Sequence, residues 1–189
     1  ERGGNPAGVV IADAMPDAVR MQAVAAEVGF SETAFAAPVD GGWRVRYFSP
    51  ESEVPFCGHA TIALGAALAR REGDGVFTLL LNKDTITVEG ARDGAVIAAA
   101  LQSPRTKNTP ASQGLIDAAL DLFAMSSDDL DPRISPAVAE AGATHLVFGL
   151  RSRERLAAMR YDLNAGRALM NGAGLVTIVL AHAETERLF

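Results

Sequence analysis

The sequence has only one cysteine, Cys57, among its 189 residues. A single cysteine excludes a disulfide within the chain and a zinc site of the Cys-x-x-Cys type, and it is typical of a reducing compartment. No apolar run approaches the ~18 residues that a membrane-spanning helix needs, and the first residues show no signal-peptide pattern. These shortages predict a cytoplasmic protein with no membrane segment.

Basic residues are also in short supply, with 17 Lys and Arg against 23 Asp and Glu and a formal net charge of −6. Their one adjacent pair is Arg70-Arg71. Nucleic acids and anionic membranes attract clusters of positive charge, so neither is expected as a partner. The three histidines are scattered, and GGNPAG lacks the Lys-Ser/Thr of a phosphate loop. We therefore predict no metal site, no cofactor, and a small molecule as the partner.

Charge is absent from the stretch Thr61–Ala69, TIALGAALA. A helix with no charged face has no side for water, so a buried helix is predicted here, with bounds at 59–71. Just before it stands Pro-Phe-Cys-Gly-His. The first amides of a helix lack internal acceptors and lie at the positive end of its dipole, which attracts carboxylates. Residues Cys57–Ala60 are the predicted site for a small acidic ligand.

Alternating patterns before and after this helix predict strands, so the fold class is α+β. We place a first domain at 1–103, a Pro-rich and polar linker at 104–114, and a second, partial domain at 115–189. Exposed strands of the first domain offer a surface for a homodimer.

Glu32 lies in the strand-like run Phe30–Ala36, on the same face as Phe30 and Ala34. A carboxylate among apolar neighbours holds its proton more readily than one in water, which suits a general acid/base. The alternative is a strand end at which Glu32 lies in water or pairs with Arg44 or Arg46.

The sequence Cys57-Gly58-His59 offers a thiol and an imidazole at the start of the predicted helix. A thiol at a helix N-terminus has a lowered pKa and can act as a base or nucleophile, although a lone cysteine is more often a small buried hydrophobe. A plain helix start would use Ser, Asp or Asn as its cap, so the combination favours a site. His145 and His182, inside strand-like runs, are expected to be structural.

Three motifs together carry a family resemblance: GNPAGVV at Gly4–Val10, GFSETAF at Gly29–Phe35, and YFSPESEVPFCGHATIALG at Tyr47–Gly65. They resemble the phenazine-biosynthesis PhzF-like family and, more distantly, diaminopimelate epimerase and proline racemase. The resemblance implies two similar halves, each with strands wrapped around a central buried helix, and an active site between the two helix N-termini. It also implies a cofactor-independent isomerase or epimerase that moves a proton on a small carboxylate-bearing substrate.

The same resemblance assigns site residues. Glu32 takes the place of the family's catalytic acid/base, and His59 the place of the histidine next to the substrate. The predicted substrate-binding residues are Asn5, Cys57, Gly58, His59 and Ala60. The family's first strand and its second-domain Asp-Pro-Ala-Thr-Gly motif are missing, so we expect an incomplete second half and a sequence that is a piece of a longer protein.

Two other functions stay open from the sequence. One is a non-catalytic relative of the same fold that binds a metabolite or a protein. The other is a thiol-dependent amino-acid racemase or epimerase that uses Cys57, which requires a second thiol outside this chain.

Overall fold

The structure is a computed structural model that describes residues 4–185. The chain divides into two compact units, Glu1–Arg105 and Thr106–Phe189, and each combines helices with one sheet. Among the described residues, no helix has the length and apolar character needed to span a bilayer.

In the first unit, the residues that the structure describes form one seven-stranded sheet and two helices. The strands follow the order β1-β2-β3-β5-β6-β7, with β4 paired to β3. Their bounds are β1 (Ala7–Ile11), β2 (Glu32–Val39), β3 (Gly42–Phe48), β4 (Glu53–Val54), β5 (Gly75–Leu80), β6 (Thr85–Asp93) and β7 (Val96–Gln102), and the helices are α1 (Ala18–Val28) and α2 (Gly58–Glu72).

Helix α2 crosses between the parallel strands β3 and β5, and the sheet curls around it. Leu64 and Leu68 of α2 are fully buried and pack in one core with side chains of β2, β3, β5 and β6, among them Ala34, Ala36, Val45, Leu79 and Val88. The mixed α+β class with a buried helix inside a curled sheet is confirmed for this unit.

One face of α2 departs from the sequence expectation. The lack of charge predicts burial on every side, but Ile62 is 38% exposed and Ala63, Ala66 and Ala67 are only half-buried. The sheet covers one face of the helix, and the alanines opposite carry so little apolar area that leaving them partly exposed costs little.

Helix α1 covers the other face of the same sheet. Its buried residues Met21 and Ala25 pack against Phe35 and Phe48, whose rings meet edge to face with centroids 5.8 Å apart. Phe35 therefore points towards α1, while Ala34 on the same strand points towards α2. Because side chains alternate along a strand, Glu32 at the start of β2 shares the α2 side with Ala34.

The second unit has a four-stranded sheet in the order β11-β10-β9-β8. Strands β10 and β11 are parallel and are joined through α4 and α5, while α3 buries Ala119 and Leu120. The bounds are β8 (Lys107–Pro110), β9 (Ala137–Glu140), β10 (Thr144–Gly149), β11 (Thr177–Ala181), α3 (Gln113–Leu122), α4 (Arg153–Ala157) and α5 (Leu163–Ala173).

The stretch 104–114, which the sequence analysis assigns to a linker, contains the whole of β8 and the first residues of α3. All four residues of β8 are exposed. The strand lies at the end of the described sheet and pairs with β9, where Thr109 is opposite Val138. Because this edge strand buries none of its side chains, its sequence does not alternate between apolar and polar residues.

An ion pair in the first unit joins β3 to β4, shortly before α2. Arg46 donates from Nε and Nη2 to the two oxygens of Glu53, at 2.8 and 2.6 Å. These bonds are the main reason why the pKa of Glu53 lies below its usual value of 4.5. A carboxylate with a lowered folded-state pKa stabilises the fold above its unfolded-state pKa, and that contribution is lost as the pH falls through the folded-state value.

We expect Glu53→Gln to lower the free energy of unfolding near neutral pH by about 1 kcal/mol and to flatten its decline below pH 4.5. Urea unfolding measured from about pH 3 to about pH 7, a range that includes the carboxylate pKa, reports both effects. Glu89→Gln, at an exposed site on β6, is the control for loss of charge. Equal pH profiles for Glu53→Gln and the unmodified protein would contradict the expectation.

Candidate active site

The start of α2 is held in place by two buried hydroxyls. Thr61 donates its amide and its hydroxyl hydrogen to the Cys57 carbonyl, at 3.0 and 2.7 Å. Since that hydroxyl hydrogen is used, the Tyr47 hydroxyl donates to Thr61 Oγ1, 2.7 Å away. Cys57 takes the N-cap position with extended backbone, and its side chain makes no capping hydrogen bond. The first amides of α2 have no acceptor within the helix, and of these the amides of His59 and Ala60 lie near the Cys57 sulfur.

Glu32 faces this helix end. Its Oε2 lies 3.5 Å from Nε2 of His59, and the two side chains are 22% and 33% exposed. The alternative in which Glu32 pairs with Arg44 or Arg46 is wrong, because Arg46 binds Glu53 and Arg44 donates to backbone carbonyls, that of Leu80 among them. The structure thus brings together the two residues to which the family resemblance assigns the main roles.

Cys57 contacts the other side of the same imidazole, with Sγ 3.1 Å from Nδ1 of His59. The pKa of the Cys57 thiol is raised to about 11, mainly by burial and in part by the nearby Glu32 carboxylate, while the amides of Ala60 and His59 act in the opposite direction. The expectation of a lowered thiol pKa is wrong, because loss of hydration at this buried position outweighs the helix amides.

The Cys57 thiol contacts both other side chains of the cluster. Its Sγ lies 3.1 Å from Nδ1 of His59, and the thiol also has a side-chain hydrogen bond with Glu32. The structure therefore presents a carboxylate next to an imidazole and a thiol at a helix N-terminus.

Ser31 is a residue that the sequence analysis did not select. Its hydroxyl donates to Oδ1 of Asn5 at 3.0 Å and lies 3.5 Å from Nε2 of His59. The parallel pairing of β1 with β2 sets Ala7 opposite Glu32, which brings the exposed Asn5 next to Ser31. In the sequence, only the position of Ser31 directly before Glu32 indicated that it could belong to the site.

Gly58 and Ala60 complete the predicted set. The Ala60 side chain is fully buried in the core around α2, so its backbone amide is the only group of this residue that is available to a ligand. Gly58 is half-buried, and a Cβ there would make an ordinary contact of 3.8 Å with Leu101. No steric demand for glycine follows at this position.

Three side chains of the cluster are also potential metal ligands. One ligand atom each from Glu32, Cys57 and His59 lies within 4.8 Å of the other two. The sequence analysis predicts no metal site because the histidines and the cysteine are scattered along the chain, and the fold brings one of each together with a carboxylate.

An apolar cavity in the second unit has a volume of about 550 Å³ and is lined by residues such as Phe123, Leu156, Met170 and Ile178. Tyr161 supplies its one ionisable side chain. Proton transfer needs a base near an acceptor site, so the cluster around Glu32 is the better candidate.

Residues 2–189 match a family model described as phenazine biosynthesis-like protein. The chain belongs to the phenazine biosynthesis-like family. Curated relatives include the uncharacterized isomerase YddE of Escherichia coli O157:H7, 36% identical over 178 residues, which are 90% of this chain and 59% of the relative. The uncharacterized isomerase PA2770 of Pseudomonas aeruginosa is 36% identical over 115 residues, which are 61% of this chain and 44% of the relative.

Solved structures of similar fold include one entitled a predicted epimerase, PA4716 of Pseudomonas aeruginosa, with a TM-score of 0.81 and 25% identity over 94% of this chain and 64% of that one. A PhzF-family protein of Bacillus anthracis has a TM-score of 0.72 at 20% identity, over 97% of this chain and 64% of that one, which shows the shared fold. This member of the phenazine biosynthesis-like family thus spans about 60% of the length of such relatives.

Proposed function

We propose that this chain supplies the acid/base part of an isomerase site that moves a proton on a small carboxylate-bearing metabolite. One observation supports the proposal above the others: the half-buried Glu32 carboxylate lies 3.5 Å from His59 at the N-terminus of a core helix. A base in this position lies next to a place where a negatively charged ligand is stabilised.

Substrate binding is assigned to the helix end. The amides of Gly58, His59 and Ala60 lie in the first turn of α2, where the helix itself provides no carbonyl acceptor for them. They point along the helix axis at the positive end of its dipole. A carboxylate bound there is held by charge-assisted hydrogen bonds. Asn5, fixed by its bond from Ser31, lies at the edge of the same cluster and offers an amide group to a polar part of the ligand.

Proton transfer is assigned to Glu32. In the proposed reaction, Glu32 removes a proton from a carbon of the substrate, and a proton returns to another carbon or to the other face. Negative charge develops on the substrate meanwhile, and the α2 amides stabilise it because they are already oriented. His59, whose Nε2 lies 3.5 Å from Oε2 of Glu32, helps to orient the carboxylate.

Family membership supports the reaction class. The curated relatives named above are called uncharacterized isomerases, and a similar solved structure is entitled a predicted epimerase. An isomerase that returns a proton to its own substrate needs no net oxidation or hydrolysis, and the side chains of the cluster supply the acid and the base.

A proton-exchange assay tests the proposal. The full-length protein is incubated in deuterated water with a panel of small amino and cyclic carboxylic acids, and NMR follows deuterium at each carbon. We expect incorporation at one carbon of one compound class. Binding of acids without incorporation anywhere in the panel would instead support the non-catalytic metabolite-binding relative.

The role of the Cys57 thiol distinguishes the proposed mechanism from that of a thiol-dependent racemase. A thiol with a pKa of about 11 is almost entirely protonated near neutral pH, which disfavours its use as the base. We expect Cys57→Ala to keep the exchange rate within about tenfold of the unmodified protein, because it removes only a neighbour of His59 and Glu32 and leaves the base in place. A loss of about 10³-fold or more would favour the thiol mechanism instead.

A further inference from the structure

We propose that Cys57, His59 and Glu32 also form a binding site for a divalent d-block cation of the zinc class, and that the ion competes with acidic substrates. The observation that supports this site is the convergence of three different ligand types, with one atom of each within 4.8 Å of the other two. The residues come from the start of β2 and the first turn of α2, two elements held together by the core.

The donor set selects the class of ion. A thiolate sulfur, an imidazole nitrogen and a carboxylate oxygen together suit Zn²⁺ and its neighbours, whereas Mg²⁺ and Ca²⁺ prefer oxygen ligands alone. The two anionic ligands balance the charge of a divalent ion, which offsets the unfavourable positive end of the α2 dipole. The side chains of His59 and Glu32 are 33% and 22% exposed, so an ion has access from solvent and a fourth position for water.

One of the three ligand separations is close to that of a tetrahedral site. With Zn–S near ~2.3 Å and Zn–N near ~2.0 Å, two ligand atoms of a tetrahedron lie about 3.5 Å apart. Cys57 Sγ and His59 Nδ1 lie 3.1 Å apart, so a small outward shift makes room for the ion. Binding displaces the thiol proton.

Glu32 supplies the third ligand of the site. A carboxylate oxygen of Glu32 lies within 4.8 Å of the Cys57 sulfur and of a ring nitrogen of His59. A carboxylate that binds a cation no longer accepts a proton from a substrate, so the ion inhibits isomerisation. Only this inhibition rests on the proposed function, and metal binding itself does not.

Cobalt(II) is the probe for the site, because a cobalt–thiolate bond absorbs in the near ultraviolet and tetrahedral cobalt absorbs strongly in the visible. The full-length, reduced protein is titrated with cobalt chloride in the absence of substrate, and zinc chloride is then added. We expect one equivalent of cobalt to bind with both absorptions, and zinc to abolish them.

Variants test each ligand. Cys57→Ala should lose the thiolate absorption, and Glu32→Gln and His59→Gln should each weaken cobalt binding tenfold or more. Glu32→Gln conserves the volume of a half-buried side chain, so it tests the site without disturbing the core. His145→Gln is the matched control, because His145 bonds to Thr177 in the second unit and should leave the titration unchanged.

The proposal is overturned if the unmodified protein shows no thiolate–cobalt absorption at millimolar cobalt, or if Cys57→Ala retains it. Equal cobalt affinity in Glu32→Gln, His59→Gln and the unmodified protein would show that only Cys57 binds the ion. That result would also overturn the proposal. For the unmodified protein the two assays are independent: a missing cobalt signal would not change the proton-exchange result, and missing exchange would not change the cobalt signal.

Discussion

Glu32→Gln is expected to lower the rate of deuterium incorporation into the substrate by about 10³-fold, the size of effect that general acid/base groups have. Glutamine keeps the shape of the side chain and a contact with Nε2 of His59 through its amide oxygen, but it cannot take up a proton. NMR of the exchanging carbon, at saturating substrate and with matched enzyme concentrations, measures the loss.

Glu27→Gln is the matched control for this variant. Glu27 lies five positions earlier, exposed near the end of α1, and its replacement removes the same charge without touching the cluster. We expect this control to exchange at the unmodified rate. If Glu32→Gln kept a rate within about tenfold of the control while folding normally, another group would have to be the base.

Gly90→Ala should cost about 2 to 3 kcal/mol of the free energy of unfolding, because β6 and α2 approach each other closely at this glycine. A Cβ on Gly90 would lie 2.5 Å from the backbone oxygen of Gly65 and 2.7 Å from Cβ of Ala69. A backbone oxygen inside a helix cannot turn aside as a side chain can, so the helix and the strand must separate and the core around Leu64 loosens.

The control for this prediction lies directly across the ladder. Gly75 on β5 pairs with Gly90, and a Cβ on Gly75 would meet only the Phe77 ring at 3.9 Å. Urea unfolding should therefore place Gly75→Ala within about 0.5 kcal/mol of the unmodified protein. Similar unfolding free energies for the two variants would show that α2 and β6 are not in tight contact at Gly90.

Several features of the first unit could be predicted from the sequence because they depend on neighbouring residues. The uncharged run Thr61–Ala69 predicts an apolar helix, and α2 (Gly58–Glu72) contains it. The alternation around Ala34 places Glu32 on the helix side of β2, as the structure has it. Local periodicity decides such matters, since 3.6-residue and 2-residue repeats arise from backbone geometry alone.

Other features depend on residues that the sequence keeps far apart. Glu32 and Cys57 are brought together only when β2 packs on α2, and the sequence has no pattern that predicts three potential metal ligands within 4.8 Å. The role of Ser31 as a donor to Asn5 depends in the same way on the pairing of β1 with β2.

The thiol of Cys57 illustrates the difference between the two kinds of information. Its position at a helix start can be read from the sequence and suggests a lowered pKa. Its pKa is instead raised to about 11, since burial against the core removes the water that stabilises a thiolate. The order of residues alone predicts which chemical groups stand at the start of α2. The protonation of the thiol depends on packing, because packing removes its hydration and brings Glu32 close to it.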